Sequence, residues 1–265
     1  MKRLRVFLAF VLGAASCAAA PGAEVVVAVA ANFTAPAQKL ALEFEKETGH
    51  KAQLAFGSTG RFHAQIANGA PFEVLLAADA ETPRRLARLG LAVADSQFTY
   101  AIGRLVLWSR QPDLVDGKGE ILRTGRFAKL AIADPKLAPY GAAALEAMKR
   151  LGVLHQLRPK FVQGESIAQT YQFVASENAQ IGFVALSQVF VDGRVGTGSA
   201  WIVPQALHPV IRQDAILLAK GAGNPAALAF LAHLRSTKSL DTIRARGYDV
   251  CTSQTACGVQ RPAER

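Results

Sequence analysis

Side chains with hydrogen-bond donors recur at one kind of place in this sequence, the passage from an apolar run into a helical pattern. Asn32 and Thr34 follow the run VVVAVAA at 25–31, and Ser58 and Thr59 stand between Gly57 and Gly60 after AQLAF at 52–56. Tyr140 closes the loop PKLAPYG at 135–141, and Ser166 precedes a helical pattern opening at Ile167. A helix N-terminus carries backbone N–H groups without intrahelical partners and favours an anion, and ligands of open α/β sheets bind beyond the carboxyl ends of the strands. These positions therefore suit capture of a small anion. Each serves as well for a capped helix end with nothing bound.

Chemistry of other kinds lacks its parts. The five histidines are widely spaced, and none has a metal-type spacing with another His or a Cys. No G-x-S-x-G elbow, phosphate-binding Walker loop or H-E-x-x-H occurs, and Gly193, Gly196 and Gly198 stand in the wrong order for a dinucleotide fingerprint. Asp79 stands just before an Arg-rich helical segment and reads as an N-cap. An exported hydrolase, the alternative from another class, would need a general base, and only Asp134 and Glu165 are near the proposed site. Arg61 follows Gly60 directly and reads as solvated or lobe-spanning.

The elements that must position these residues alternate. Strands are expected at 25–29, 52–56, 74–77, 129–134, 161–163 and 181–185, with helices at 33–48, after Gly60, after Asp79, at 142–151 and at 167–175. The run FTYAIGRLVLWS at 98–109 is long for one strand and is interrupted by Gly103, which marks a crossing between lobes; DAILLA at 214–219 reads as the return crossing. The order argues for an α/β protein of two lobes joined by two strands, with 24–102 and 216–250 in one lobe, 103–215 in the other and 251–265 as a tail. Lys2, Arg3 and Arg5, an apolar stretch at 6–15 and the small residues AAAPGA form a secretory signal over 1–23. Cys17 leaves a lipoprotein reading open. Removing the signal takes the formal net charge from +10 to +7, with Lys and Arg spread along the chain and no basic block for nucleic acid. Cys251 and Cys257 either close a small loop in an oxidising compartment or remain free thiols.

The segments AVAANFT (28–34), FGSTG (56–60), NGAPFEVLLAAD (68–79), FTYAIGRLVLWS (98–109), DPKLAPYG (134–141) and IGFVA (181–185) together resemble the molybdate-binding protein family, the periplasmic solute-binding components of molybdate ABC importers. The resemblance runs from Val25 to about Val250. It implies a two-lobed type II periplasmic-binding fold that holds molybdate or tungstate through neutral hydroxyls and backbone N–H groups. Carried over, the anion meets Asn32 with Ala31 before it, Ser58 and Thr59 in the first lobe, and Tyr140 and the backbone N–H of Ile167 in the second. The metal of the oxyanion is not directly coordinated by these residues. Many relatives have a ligand tyrosine where this chain has Ala185, and the resemblance passes that role to Tyr140. No cofactor, a monomeric state, a periplasmic location and a membrane permease as partner are implied with it. Sulfate and phosphate are the competing cargoes.

Overall fold

The computed structural model describes residues 22–191 and 193–250; the expected signal apart from Gly22 and Ala23, and Cys17, Cys251 and Cys257, lie outside them. Twelve strands run β1 Glu24–Ala30, β2 Lys51–Gly57, β3 Val74–Leu76, β4 Phe98–Gly103, β5 Leu105–Ser109, β6 Leu130–Ala133, β7 Phe161–Gly164, β8 Ile181–Ala185, β9 Phe190–Val191, β10 Arg194–Val195, β11 Ser199–Ile202 and β12 Ile211–Leu217. They build two five-stranded sheets, β2-β1-β3-β12-β4 and β11-β5-β8-β6-β7, and a small β9-β10 ribbon. In the first sheet β1 is parallel to β2 and β3, and β12 runs antiparallel between β3 and β4. In the second, β6 is parallel to β7 and β8, with β5 and β11 antiparallel beyond them. Each sheet is covered by helices and has its own core. This is the two-lobed α/β architecture.

The sequence reasons for these elements are local. Val25, Val27 and Val29 are fully buried in β1, as expected of a β-branched strand inside a parallel sheet. The helix Thr34–Thr48 places Ala37, Leu40 and Phe44 on its buried side, where Phe44 meets Phe230 edge to face at 5.3 Å. Gly49, at φ 73°, ends that helix in the left-handed conformation expected of it. Neither Asn32 nor Thr34 caps the helix; a 3₁₀ turn, Ala31–Phe33, precedes it, and the Thr34 hydroxyl donates to the Ala31 carbonyl. The next expected helix of the second lobe starts earlier than its apolar pattern indicated, at Pro139 rather than 142, because proline needs no N–H partner in the first turn.

Register places the turns. Ala30 of β1 lies opposite Gly57 of β2, so the turns holding Asn32 and Ser58 leave the first sheet side by side. Ala133 of β6 lies opposite Gly164 of β7, so the loops holding Tyr140 and Ser166 leave the second sheet in the same way.

Only Arg104 separates β4 from β5, and the chain changes sheets there, next to Gly103. The return differs from the expectation at 214–219. β12 begins at Ile211 and pairs along the first sheet from its first residue, so the return passage is 203–210, and 211–215 stand in the first sheet rather than in the second lobe. Asp214 is a buried anchor of that sheet. Its carboxylate accepts from Gln97 Nε2 at 2.6 Å, Thr99 Oγ1 at 2.8 Å and Arg212 Nη2 at 3.4 Å. Asp214→Ala strands those donors, including a largely buried guanidinium, and is expected to lower the unfolding free energy by about 3 kcal/mol. A urea titration followed by circular dichroism checks this.

Candidate functional site

Between the lobes lies a small cavity whose wall includes Ala30, Ala31, Asn32, Gly57, Ser58, Thr59, Ala78, Ala138, Pro139, Tyr140 and Ile167. All six residues that the resemblance implies at the anion, Ala31, Asn32, Ser58, Thr59, Tyr140 and Ile167, stand in this wall, three strand-to-helix turns and one loop having converged on it; Thr34 and Ser166 do not line it. None of the wall residues is charged. Four chain segments start helices here: the 3₁₀ turn Ala31–Phe33, and the helices Thr59–Ala67, Pro139–Arg150 and Ile167–Ala175. Their first-turn N–H groups have no partner from within the helix, so the positive ends of the backbone dipoles meet at the cavity.

Ser58 is 4 % exposed, and its hydroxyl has no hydrogen-bond partner among the described residues. An unsatisfied buried hydroxyl costs free energy, and one facing a cavity walled by N–H donors is an available donor to a guest. The Thr59 hydroxyl accepts from the Ala78 N–H at 3.0 Å and so keeps its own proton to give. Gly60 N–H donates to the Leu137 carbonyl of the other lobe at 2.9 Å, and a Cβ on Gly60 would come within 2.9 Å of the Leu137 Cα. Glycine is needed at this position because the backbones of the two lobes touch.

Behind the cavity is a buried polar cluster that the sequence reading did not find. Asn32 Nδ2 donates to Gln213 Oε1 at 2.8 Å and to the Tyr248 hydroxyl at 3.0 Å, so both protons of its amide are used inside the protein. The Asn32 carbonyl accepts from Ser187 Oγ at 2.9 Å and lies 2.7 Å from the Tyr248 hydroxyl. Gln213 Oε1 also accepts from the Tyr100 hydroxyl at 3.0 Å, and Gln213 Nε2 donates to the Tyr140 hydroxyl at 3.1 Å. A Cβ on Gly103 would sit 2.1 Å from that hydroxyl, so the glycine at the crossing makes room for the tyrosine. Burial pushes all three tyrosines above the usual phenol range, which keeps them neutral donors and acceptors. The available signal was a polar run, Arg212-Gln213-Asp214, directly before the apolar stretch AILLA.

The other singled-out residues lie outside the wall. Arg61 pairs with Glu165 of the opposite lobe, both side chains exposed. Asp79, expected as the N-cap, stands one residue before the N-cap Ala80; its carboxylate accepts from the Thr82 N–H at 2.7 Å and the Thr82 hydroxyl at 3.1 Å, and burial raises its carboxyl above the usual range. Asp134 accepts from the Lys136 N–H within its own turn. Ala185 ends β8, where its N–H donates to Gln188. A wider groove of about 1090 Å³ adjoins the cavity through Ala78, Ala138 and Pro139, and charged groups of both signs gather there, Asp79, Glu81 and Glu146 beside Arg84, Arg85, Lys136 and Arg212. The small cavity is the candidate site, because helix starts and the unpaired Ser58 hydroxyl share its uncharged wall; the groove also holds unpaired buried atoms, His63 Nε2 and Arg212 Nε, but among charged groups of both signs. Without added anion, Ser58→Ala is expected to match or exceed the parent in stability by up to about 1 kcal/mol, since it removes an unsatisfied hydroxyl. Denaturant unfolding in anion-depleted buffer measures this.

The fold and this wall agree with what the chain is similar to. The family model of the bacterial extracellular solute-binding proteins matches residues 25–249. The molybdate-binding protein ModA of Azotobacter vinelandii is 53 % identical over 244 residues, 92 % of this chain and 96 % of that protein. ModA of Rhodobacter capsulatus is 53 % identical over 241 residues, 91 % and 93 % of the two chains. Among solved structures, a periplasmic molybdate-binding protein of Azotobacter vinelandii superposes with a TM-score of 0.84 at 37 % identity, over 86 % of this chain and all of that one. With a family match over residues 25–249 and two relatives above half identity, the chain belongs to the bacterial extracellular solute-binding proteins, in the branch that holds the molybdate-binding proteins.

Proposed function

We propose that this protein captures molybdate or tungstate in the inter-lobe cavity and delivers it, as a periplasmic monomer, to the membrane permease of an ABC importer. The observation that carries the reading is the uncharged wall of helix N-termini around the unpaired Ser58 hydroxyl. Such a wall offers N–H and hydroxyl donors with no carboxylate among them, which suits a fully deprotonated tetrahedral dianion. Phosphate near neutral pH keeps a proton that needs an acceptor, and no carboxylate lines the cavity. Sulfate differs from molybdate chiefly in size, so the spacing between fixed helix ends sorts those two. The molybdate-binding names of the half-identical relatives support this cargo over the other anions.

Ala31, Asn32, Ser58 and Thr59 serve the anion from the first lobe, and Tyr140 and Ile167 from the second. Asn32 serves through its backbone, its side-chain amide being engaged elsewhere. No cofactor takes part, and the molybdenum meets the protein only through its oxo groups. The alternative of an exported hydrolase lacks support from Asp134 and Glu165, which turn to a local backbone N–H and to Arg61.

Calorimetry of the mature protein with molybdate, tungstate, sulfate and phosphate tests the reading. Molybdate and tungstate are expected to bind at least about a hundredfold more tightly than the other two, a difference of about 2.7 kcal/mol. Equal affinity for sulfate overturns it. Arg61→Gln is expected to change molybdate affinity by less than about 1 kcal/mol, because an exposed ion pair at the rim contributes little; a loss above about 3 kcal/mol would place the guanidinium on the anion.

A further inference from the structure

Gln213 stands outside the cavity wall and touches both halves of it. It is fully buried in β12, a first-sheet strand, in a run of otherwise mostly apolar neighbours. Its two amide ends do different things. Oε1 accepts from Asn32 Nδ2 and the Tyr100 hydroxyl, both in the first lobe, and Nε2 donates to the Tyr140 hydroxyl of the second lobe. One side chain is thus bonded to a wall residue from each lobe. A buried amide of this kind is stable only with its donor and acceptor ends matched, so the pattern around it has one orientation. By filling a lone pair of the Tyr140 oxygen, Gln213 leaves that hydroxyl's proton, which has no acceptor among the described residues, to be given elsewhere. By holding the Asn32 amide, it fixes the turn whose backbone N–H groups start the helix.

We propose that Gln213 is a positioning residue of the anion site: it holds the Asn32 turn and the Tyr140 hydroxyl in one register, so that the donors of the two lobes reach a tetrahedral guest together. This rests on the reading of the cavity as an oxyanion site. Glutamine is suited to the place where Glu is not. A carboxylate there has no proton for Tyr140 and adds a negative charge beside a dianion, whereas a protonated Glu offers one donor and one acceptor, as the amide does.

That difference gives a test that a merely structural role would not pass. Molybdate affinity of the mature protein, of Gln213→Glu, of Tyr140→Phe and of the double variant is measured by calorimetry from pH 5.5 to 8.5, with circular dichroism as the check on folding. The titratable groups facing Gln213 in the parent are the hydroxyls of Tyr100, Tyr140 and Tyr248, all held protonated through this range by burial. The neighbouring Asp214 turns its carboxylate to Gln97, Thr99 and Arg212. The parent's affinity is therefore expected to stay within about threefold across the range. Gln213→Glu is expected near the parent at pH 5.5 and at least about tenfold weaker at pH 8.5. In the Tyr140→Phe background, where one of the two positioned groups is already gone, the loss caused by Gln213→Glu at pH 8.5 is expected to shrink.

A Gln213→Glu protein that binds as the parent does at every pH overturns the proposal. So does one that is equally weak at every pH while remaining folded. Should Gln213→Glu unfold at high pH, Tyr140→Phe carries the decision: unchanged affinity and an unchanged pH profile show that the group Gln213 is said to aim has no role, and overturn it. A parent that does not bind molybdate at all rejects the reading of the site itself and is told apart by its own titration.

Discussion

An anion taken out of water must find its hydration replaced atom for atom, because the cost of leaving even one charge unsolvated in a low-dielectric interior exceeds the stability of a whole domain. This protein's answer is to bring the ends of backbone dipoles together rather than to import cations. The choice dictates the rest. Four helix starts must point at one volume from two sheets, so the sheets must be parallel where they meet it and their strand ends must be level. The pairings Ala30 with Gly57 and Ala133 with Gly164 provide that. Small residues follow, since short side chains leave backbone N–H groups open to a wall: seven of the eleven wall residues are Ala, Gly, Ser or Thr. The charges are kept one layer out, in the wider groove and at the Arg61–Glu165 pair. There charges of both signs stand outside the wall and leave the hydrogen-bond geometry inside to neutral groups.

Much of this was legible in the sequence because the features are local. β-branched runs, glycine stops and small polar residues at run-to-helix junctions are each a few residues long and point to the turns, and the resemblance, itself carried by short motifs, implies Ala31, Asn32, Ser58, Thr59, Tyr140 and Ile167, all of which line the wall. What was not legible depends on partners far apart in the chain. Asn32 read as a capping candidate because the preference for Asn near a helix start is local; its amide instead reaches Gln213 and Tyr248, both more than 180 residues away. The return crossing was set at Asp214 because DAILLA looks like a new strand, whereas the true start at Ile211 is fixed by pairing with β4, which no pattern within β12 encodes. Arg212-Gln213-Asp214 disguised that strand, since three polar residues in sequence argue against burial unless each has a partner waiting.

The crossing at Gly103 ties the site to the joint between lobes. A single β-carbon there would occupy the place of the Tyr140 hydroxyl, so the strand that joins the sheets and the loop that walls the site are packed against one another. Any rotation about this joint changes the distance between Gln213 and Tyr140. The site's donors and the lobes' relative orientation are in this sense one variable.

That coupling sets a limit on the cross-cleft bonds the protein makes for itself. Gly60 to Leu137, Ser187 to the Asn32 carbonyl, Gln213 to Tyr140 and the Arg61–Glu165 pair all span the lobes. A ligand shifts such an equilibrium only through contacts that differ between open and closed forms, and it loses affinity whenever the competent form is scarce. If these four bonds were strong, the cleft would close on water and exclude its cargo; if they were absent, the anion alone would have to order both lobes. Three are neutral, each contributing about 1 kcal/mol, and the charged one is exposed and weaker than its geometry suggests. On the proposed reading, in which the bound anion draws the two lobes together, bonds of this size bring the closed form within reach without fixing it. The remaining difference is left to the anion's own bonds, the only ones that depend on which anion it is. Selectivity and closure are then driven by the same contacts: an anion of the wrong size, which engages one lobe's donors and misses the other's, forfeits the bonds that would hold it and those that would shut the cleft over it.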